Sequence, residues 1–491
     1  MQRPLFNIVK LNQLVLAVAI SLVFASSYSF LAIRKYDAHQ TRGNLSAYAQ
    51  SMWNTINGNF MSSTFNYSVH NYWENQFREI NVKNSPILGI HFSPILLTLL
   101  PVYAISPHPQ SLIIMQAIIL AVSSCVIFII AKKILNNLVV SYIIQLSYLL
   151  NLGIISATLS EFNAYPLSVI FSALLIWFSL QKKSFSYFLS LFCLLLVQEN
   201  AAVPAFFFGT YLLFRKSTFI RGLLTMISSI SSLLIITKII IPQISPFGHY
   251  LFESAYGTTL GSSYIEMLVN SLSNPLLLIH TIINRENLLY LGKLLIPILP
   301  LALYSPLSLA TGIMTLLPNL ISNSSLLKSL AMYYEAASTP YLYFSLILGV
   351  GYIIRKFKHR YILLVVSFVL ILAISVQYKL ITNLRFSPHC VWSCRFYSPL
   401  DAEKDQVIAS IPGGVSVSTQ DYLSGQLSSR PELYLFPVYF DRADYVVISK
   451  GTEIWPLSLE DQLSYISKLR DSLNHSVYLQ TDHFIVFQKN P

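Results

Sequence analysis

Apolar runs dominate the first four-fifths of the chain. They lie near 11–33, 111–131, 138–157, 164–181, 184–198, 201–214, 219–241, 288–304, 306–322, 338–354 and 361–380. A helix needs about 20 predominantly apolar residues to cross a bilayer core. A further stretch, 87–105, is apolar but carries His91, Pro94 and Pro101. The pattern predicts an all-α polytopic membrane protein of about 11–13 spans. Near residue 385 the period changes. Val415–Thr419, Tyr445–Ser449, Val477–Gln480 and His483–Phe487 alternate as strands. Asp401–Ile411 and Leu459–Leu473 have helical spacing, with Leu459, Leu463, Ile466 and Leu473 on one face. The expected organisation is a transmembrane domain at 1–384 and a small soluble α/β domain at 385–491.

Composition agrees with that division. Of 491 residues, 54% are hydrophobic and 11% charged, and mean hydropathy is +0.57. Soluble domains carry about a quarter charged residues, so a water-soluble enzyme of this length is excluded. Residues 385–491 hold 9 basic and 12 acidic side chains, leaving 23 basic and 9 acidic in the body. A basic membrane body accounts for the net charge of +11, and no basic stripe interleaved with aromatics points to nucleic acid. The basic pairs Lys132-Lys133, Lys182-Lys183 and Arg215-Lys216, the 355–360 run, and Arg3 and Lys10 are expected at the cytoplasmic face. The N-terminus is then cytoplasmic, and the C-terminal domain and the first loop, 34–86, are extracytoplasmic. Sequons at Asn44, Asn66, Asn323 and Asn474 fall in segments read as outside. The parity fails at one place: 87–105 and 111–131 cannot both cross fully, so either 87–105 is re-entrant or Lys132-Lys133 lies outside.

The first loop is dense in aromatics, among them Tyr48, Trp53, Phe60, Phe65, Tyr67, Tyr72, Trp73 and Phe77. Such a loop suits helices in the interface plane, as an anchoring belt or as the wall of a lipid-adjacent site. The body's nine acidic residues are Asp37, Glu74, Glu79, Glu161, Glu199, Glu253, Glu266, Glu286 and Glu335. Chemistry needing a carboxylate must draw on these or on the tail. Cys125 and Cys193 read as packing. Cys390 and Cys394 can oxidise if outside, but four-residue spacing is awkward for closure, and adjacent His389 makes an incomplete metal set.

Several segments together carry a family resemblance. They are Tyr48–Gly58 with Gln50, Trp53 and Asn54, the His91-Phe-Ser-Pro stretch to Tyr103, Gln116, Glu161-Phe162, Gln198-Glu199-Asn200, Tyr334 with Pro340, and in the tail 412–418, Leu427–Arg430 and 443–447. The chain resembles a prokaryotic family of multi-span predicted membrane proteins, and in layout it is similar to the GT-C glycosyltransferases. That likeness implies an enzyme taking a sugar from a polyprenyl-phosphate carrier, with a carboxylate after the first span as base or metal ligand. It makes Asp37 the expected base, with Glu199 and Glu161 as further catalytic groups. Asn44, Gln50, Trp53, Asn54, His91, Asn163, Tyr334 and Glu335 are expected to bind substrate. The pattern departs at Asn44, Ala49, Asn163, Gln198 and Asn200, where the family carries titratable groups.

The chemistry reads the same way from the residues. Inverting transfer needs a base for the acceptor and cations for the leaving phosphate, and Arg34, Lys35 and Arg42 lie close to Asp37. No metal ligands are assigned, and the cofactor stays open, a divalent cation being compatible. The expected partners are membrane lipid and a polyprenyl-phosphate sugar. The alternative is a catalytically silent scaffold or lipid-carrier-binding subunit. A secondary transporter would show paired repeats, which the sequence does not.

Overall fold

A computed structural model of the chain describes residues 11–73, 81–181, 183–255, 260–357, 361–383, 397–451 and 453–490. Arg3, Lys10, Glu74, Phe77, Glu79, Lys182, His389, Cys390 and Cys394 lie outside the described residues. The chain is mainly helical. Helix α1 (Leu11–Asp37) and the helices Pro109–Leu135, Lys216–Ile244, Ala336–Lys356 and Ile362–Leu380 are long and apolar enough to cross a membrane. The pair Leu138–Leu149 and Leu152–Leu159, bent by 46°, makes a sixth candidate. Asn151 makes the bend: its side chain caps the second segment by accepting from the Gly153 N–H at 2.9 Å.

The remaining apolar runs are broken into shorter helices for local reasons. Tyr165–Gln181 and Ser184–Leu195 are apolar but short. The 288–304 and 306–322 runs become Arg285–Leu295, Leu299–Ala302, Pro306–Met314 and Leu317–Ile321, each later segment starting at or next to a proline. A ring at those positions removes a ladder donor and clashes with the preceding turn. The ambiguous 87–105 stretch forms three short pieces, Ile87–Gly89, Pro94–Thr98 and Leu100–Ile105. Six residues of helix rise about 9 Å, far less than the ~30 Å core. It is therefore not a span, and the parity conflict in the sequence disappears with Lys132 and Lys133 at the far end of their helix.

The long helices consequently run up and down between two ends. At one end, Lys133 lies over the Trp177 ring at 5.6 Å, Arg221 donates to Ser179 O, and Tyr142 donates to Gln13 O. At the other end sits the tail. Its strands β1 (Val417–Thr419), β2 (Leu433–Leu435), β3 (Tyr445–Ser449), β4 (His475–Gln480) and β5 (Phe484–Lys489) form one sheet in the order β2-β1-β3-β5-β4. The first three strands are parallel, and β5 and β4 are antiparallel.

The sheet's two faces alternate with period two. Val446 and Ile448 pack against Ile466, Leu469, Ile485 and Phe487. Val417, Leu433 and Val447 instead join the apolar cluster that continues into the helical body. The helix Leu459–Arg470 corrects one sequence expectation: Ile466 and Leu469 are buried, whereas Leu459, Leu463 and Leu473 are exposed. The buried face is one position off the leucine stripe because β5 lies under Ile466 and Leu469.

The first loop holds α2 (Gly43–Ile56) and α3 (Thr64–Trp73). Its aromatics do not form an interfacial belt throughout. Tyr48, Phe65 and Tyr67 are buried, and among the described rings of the loop Phe60 and Trp73 are strongly exposed. Thr64 Oγ1 donates to Leu433 O at 2.7 Å and accepts from Leu433 N–H at 2.9 Å, while Ser68 Oγ accepts from Leu435 N–H at 2.8 Å. Helix α3 thus covers the open edge of β2, which would otherwise present unpaired backbone groups.

Candidate functional site

A cavity of about 570 Å³ opens where α1 ends against the tail. Arg34, Tyr36 and Asp37 line it from α1, Gln110 from the start of Pro109–Leu135, and Tyr397, Asp405 and Gln426 from the tail. Arg34 and Asp37 are exposed, Arg34 directly after the last aliphatic residue of α1, Ile33, and Asp37 about one turn beyond it. Gln426 Nε2 donates to Tyr36 O at 2.7 Å, and its Oε1 is buried with no partner among the described residues. Asp405 accepts from His39 Nε2 at 2.8 Å and from the Tyr397 hydroxyl. Asp37 and Asp405 give the cavity two carboxylates. Among the described residues, no three His, Cys, Asp or Glu side chains gather as a metal site.

The other expected residues fall into separate clusters. Lys35 is buried and donates to Leu159 O at 2.8 Å, and so is committed away from the cavity. Arg42, Asn44 and Glu161 meet at the N-terminus of α2, where the Asn44 N–H donates to Glu161 Oε2 at 2.9 Å. A helix N-terminus favours a carboxylate through its free N–H groups and dipole. Asp421 from the tail lies there too: a Cβ on Gly43 would meet its Oδ1 at 2.7 Å. Burial, reinforced by the Glu161 charge, pushes the Asp421 carboxyl up to about 7, against the pull of Arg42 and the Gly43 N–H. Burial also raises Glu161, with Arg42 opposing.

Glu199 is fully buried and satisfied. Its Oε1 lies 2.7 Å from His91 Nδ1 and accepts from Tyr250 at 3.0 Å, and its Oε2 accepts from the Phe92 N–H at 3.0 Å. The His91 ring stacks on Phe252 with centroids 4.3 Å apart. Asn163 donates to the Tyr333 hydroxyl at 2.9 Å, and Tyr334 packs beside Tyr333. Glu335 accepts from Tyr290 at 3.1 Å, its other oxygen has no hydrogen-bond partner among the described residues, and burial raises it to about 8. Gln50 and Asn54 both donate to Pro431 O at 3.2 Å and tie α2 to the tail, while Trp53 packs against the core.

Of the fourteen expected positions, then, only Arg34 and Asp37 line the cavity. The sequence reading missed His39, Tyr397, Asp405, Asp421 and Gln426. Four of these belong to the tail, and no local pattern ties them to α1; only the fold brings them across some 370 positions, as the 366-residue separation of His39 and Asp405 illustrates.

Comparison with known proteins gives one match. No curated protein matches the chain. A family model described as a predicted membrane protein, DUF2079, matches residues 36–486, from the end of α1 into β5. The chain belongs to the DUF2079 family of predicted membrane proteins.

Proposed function

We propose that this protein is a membrane glycosyltransferase of GT-C-like layout, acting on a polyprenyl-phosphate-linked sugar at the membrane face that carries the tail. The observation that carries this reading is the cavity at the end of α1, where exposed Asp37 and Arg34 stand together at the edge of an apolar span. A lipid carrier lying along that span would present its phosphate at this depth. The Asp37 carboxylate takes the proton of the acceptor hydroxyl as that oxygen attacks the anomeric carbon. The bond between that carbon and the phosphate oxygen breaks, and its electron pair leaves on the phosphate, where the Arg34 guanidinium meets the charge.

The proposed orientation puts the tail outside and the N-terminus in the cytoplasm. Lys132, Lys133, Lys183, Arg215, Lys216, Arg355 and Lys356 stand at helix ends remote from the tail, which supports it by the excess of basic residues in cytoplasmic loops. The proposed division remains a membrane domain at 1–384 and a soluble domain at 385–491. A second reading, a silent scaffold or carrier-binding subunit, is favoured by one observation: Glu199 is enclosed by internal bonds, and neither it nor Glu161 lines the cavity.

Glycan mass spectrometry on a deletion strain separates the two. The strain is complemented with wild type, Asp37→Asn or Arg34→Gln. The enzyme reading expects a sugar to disappear on deletion and return only with wild type. Full restoration by Asp37→Asn would leave the scaffold reading.

A further inference from the structure

Helix α1 ends in a Schellman cap. The Gln40 N–H donates to Lys35 O at 2.9 Å, the His39 N–H donates to Tyr36 O at 2.9 Å, and His39 has φ of 50°. That left-handed position normally takes glycine, because a side chain there is strained. Here it carries an imidazole whose side chain is 0% exposed. The cap itself gains nothing from the ring, so something else must account for it. Among the described residues, the ring's hydrogen bond runs from Nε2 to Asp405 Oδ1 at 2.8 Å, and its Nδ1 is buried without a partner. A proton on Nδ1 would find no acceptor among the described residues, so the ring donates from Nε2, and burial lowers its basicity. His39 is thus a fixed donor.

Asp405 is held on its other oxygen by the Tyr397 hydroxyl, yet its side chain remains 50% exposed. A carboxylate has about four lone-pair sites, and among the described residues these two bonds leave the others open toward the cavity it lines. A carboxylate held in a fixed position with open lone pairs suits a ligand rich in hydroxyl donors.

We infer that Asp405, oriented by His39 and Tyr397, is the carboxylate through which the tail binds the hydroxyl groups of the transferred sugar or its acceptor. The inference rests on the transferase reading above and makes the tail part of the site. Asp405 is a binding group, and His39 is a positioning residue.

His39→Gly separates cap from ring, since glycine fits the left-handed position. Relief of the left-handed strain offsets part of the cavity left by the ring, so the variant should still reach the membrane folded, with transfer in the complemented strain reduced about tenfold or more, the size expected when a hydrogen bond to a charged group is lost. Asp405→Asn should reduce transfer equally, and combining it with His39→Gly should add nothing further. Wild-type transfer by both variants, with Asp37→Asn inactive, overturns this inference and leaves the transferase reading standing. A deletion that alters no glycan removes that reading and this inference with it.

Discussion

Asp421 places a pH dependence on the joint between tail and body. Its carboxyl is raised from the ordinary value of 3.8 to about 7 by burial beside Glu161. An acid raised in the folded state takes up protons on folding, so its stabilising contribution is complete below the unfolded value and is lost as pH rises toward 7. Unfolding temperature should therefore fall between about pH 4 and pH 7, and Asp421→Asn should flatten that slope and stabilise the protein at neutral pH. Gly43→Ala tests the same contact by volume. Its Cβ would meet Asp421 Oδ1 at 2.7 Å and Phe65 Cε1 at 2.9 Å, which costs about 1–3 kcal/mol as overpacking. Differential scanning fluorimetry in detergent reads both. At this scale the sequence was partly legible. Asp37 and Arg34 could be chosen because they follow an apolar span, but Asp421 follows the end of a strand and looks like any solvated turn residue.

At the scale of elements, Glu199 holds three segments together: the His91-Phe92 stretch, the Tyr250 loop and the start of Ala202–Leu213. Removing its carboxylate leaves the Phe92 N–H and the Tyr250 hydroxyl without their buried acceptor, which costs about 1–3 kcal/mol for each group left unpaired. Glu199→Ala should lower the amount of folded protein in membranes, whereas Glu199→Gln, which keeps an acceptor oxygen and the volume, should lower it much less. Quantitative immunoblotting of membranes and detergent-solubilised melting curves distinguish these. If Glu199→Gln abolished transfer at full protein level, Glu199 would belong to the chemistry after all.

Helix positions were legible because apolar runs are long. Their continuity was not: Pro94, Pro101, Pro300 and Pro318 sit inside apolar runs and break them. Strands β1, β3, β4 and β5 follow the alternation seen in the sequence. β2 does not, since Leu433–Leu435 is three residues between turns and leaves no period to read.

For the whole molecule, the orientation is the first thing to test. Alkaline phosphatase fused after Pro491 should be active, and green fluorescent protein fused there should stay dark; the reverse result would put the tail in the cytoplasm. The overall division into apolar helices and a mixed tail could be read from hydropathy alone. The site could not, because it lies where the first described helix meets the last hundred residues, and nothing in hydropathy records which outer segment touches which.

The bond between Thr64 and Leu433 spans 369 positions. A ribosome adding about 5–20 residues per second takes roughly 20–70 s to cover that distance. For that interval α3 has been made but the strand edge it covers has not. The nascent first loop therefore waits with Thr64, Ser68 and Gln50 deprived of their eventual partners. Early helices can assemble meanwhile, but the cavity acquires its second wall only as synthesis ends, so a chain stalled before residue 433 leaves an open half-site exposed to proteases and unable to hold a ligand from both sides.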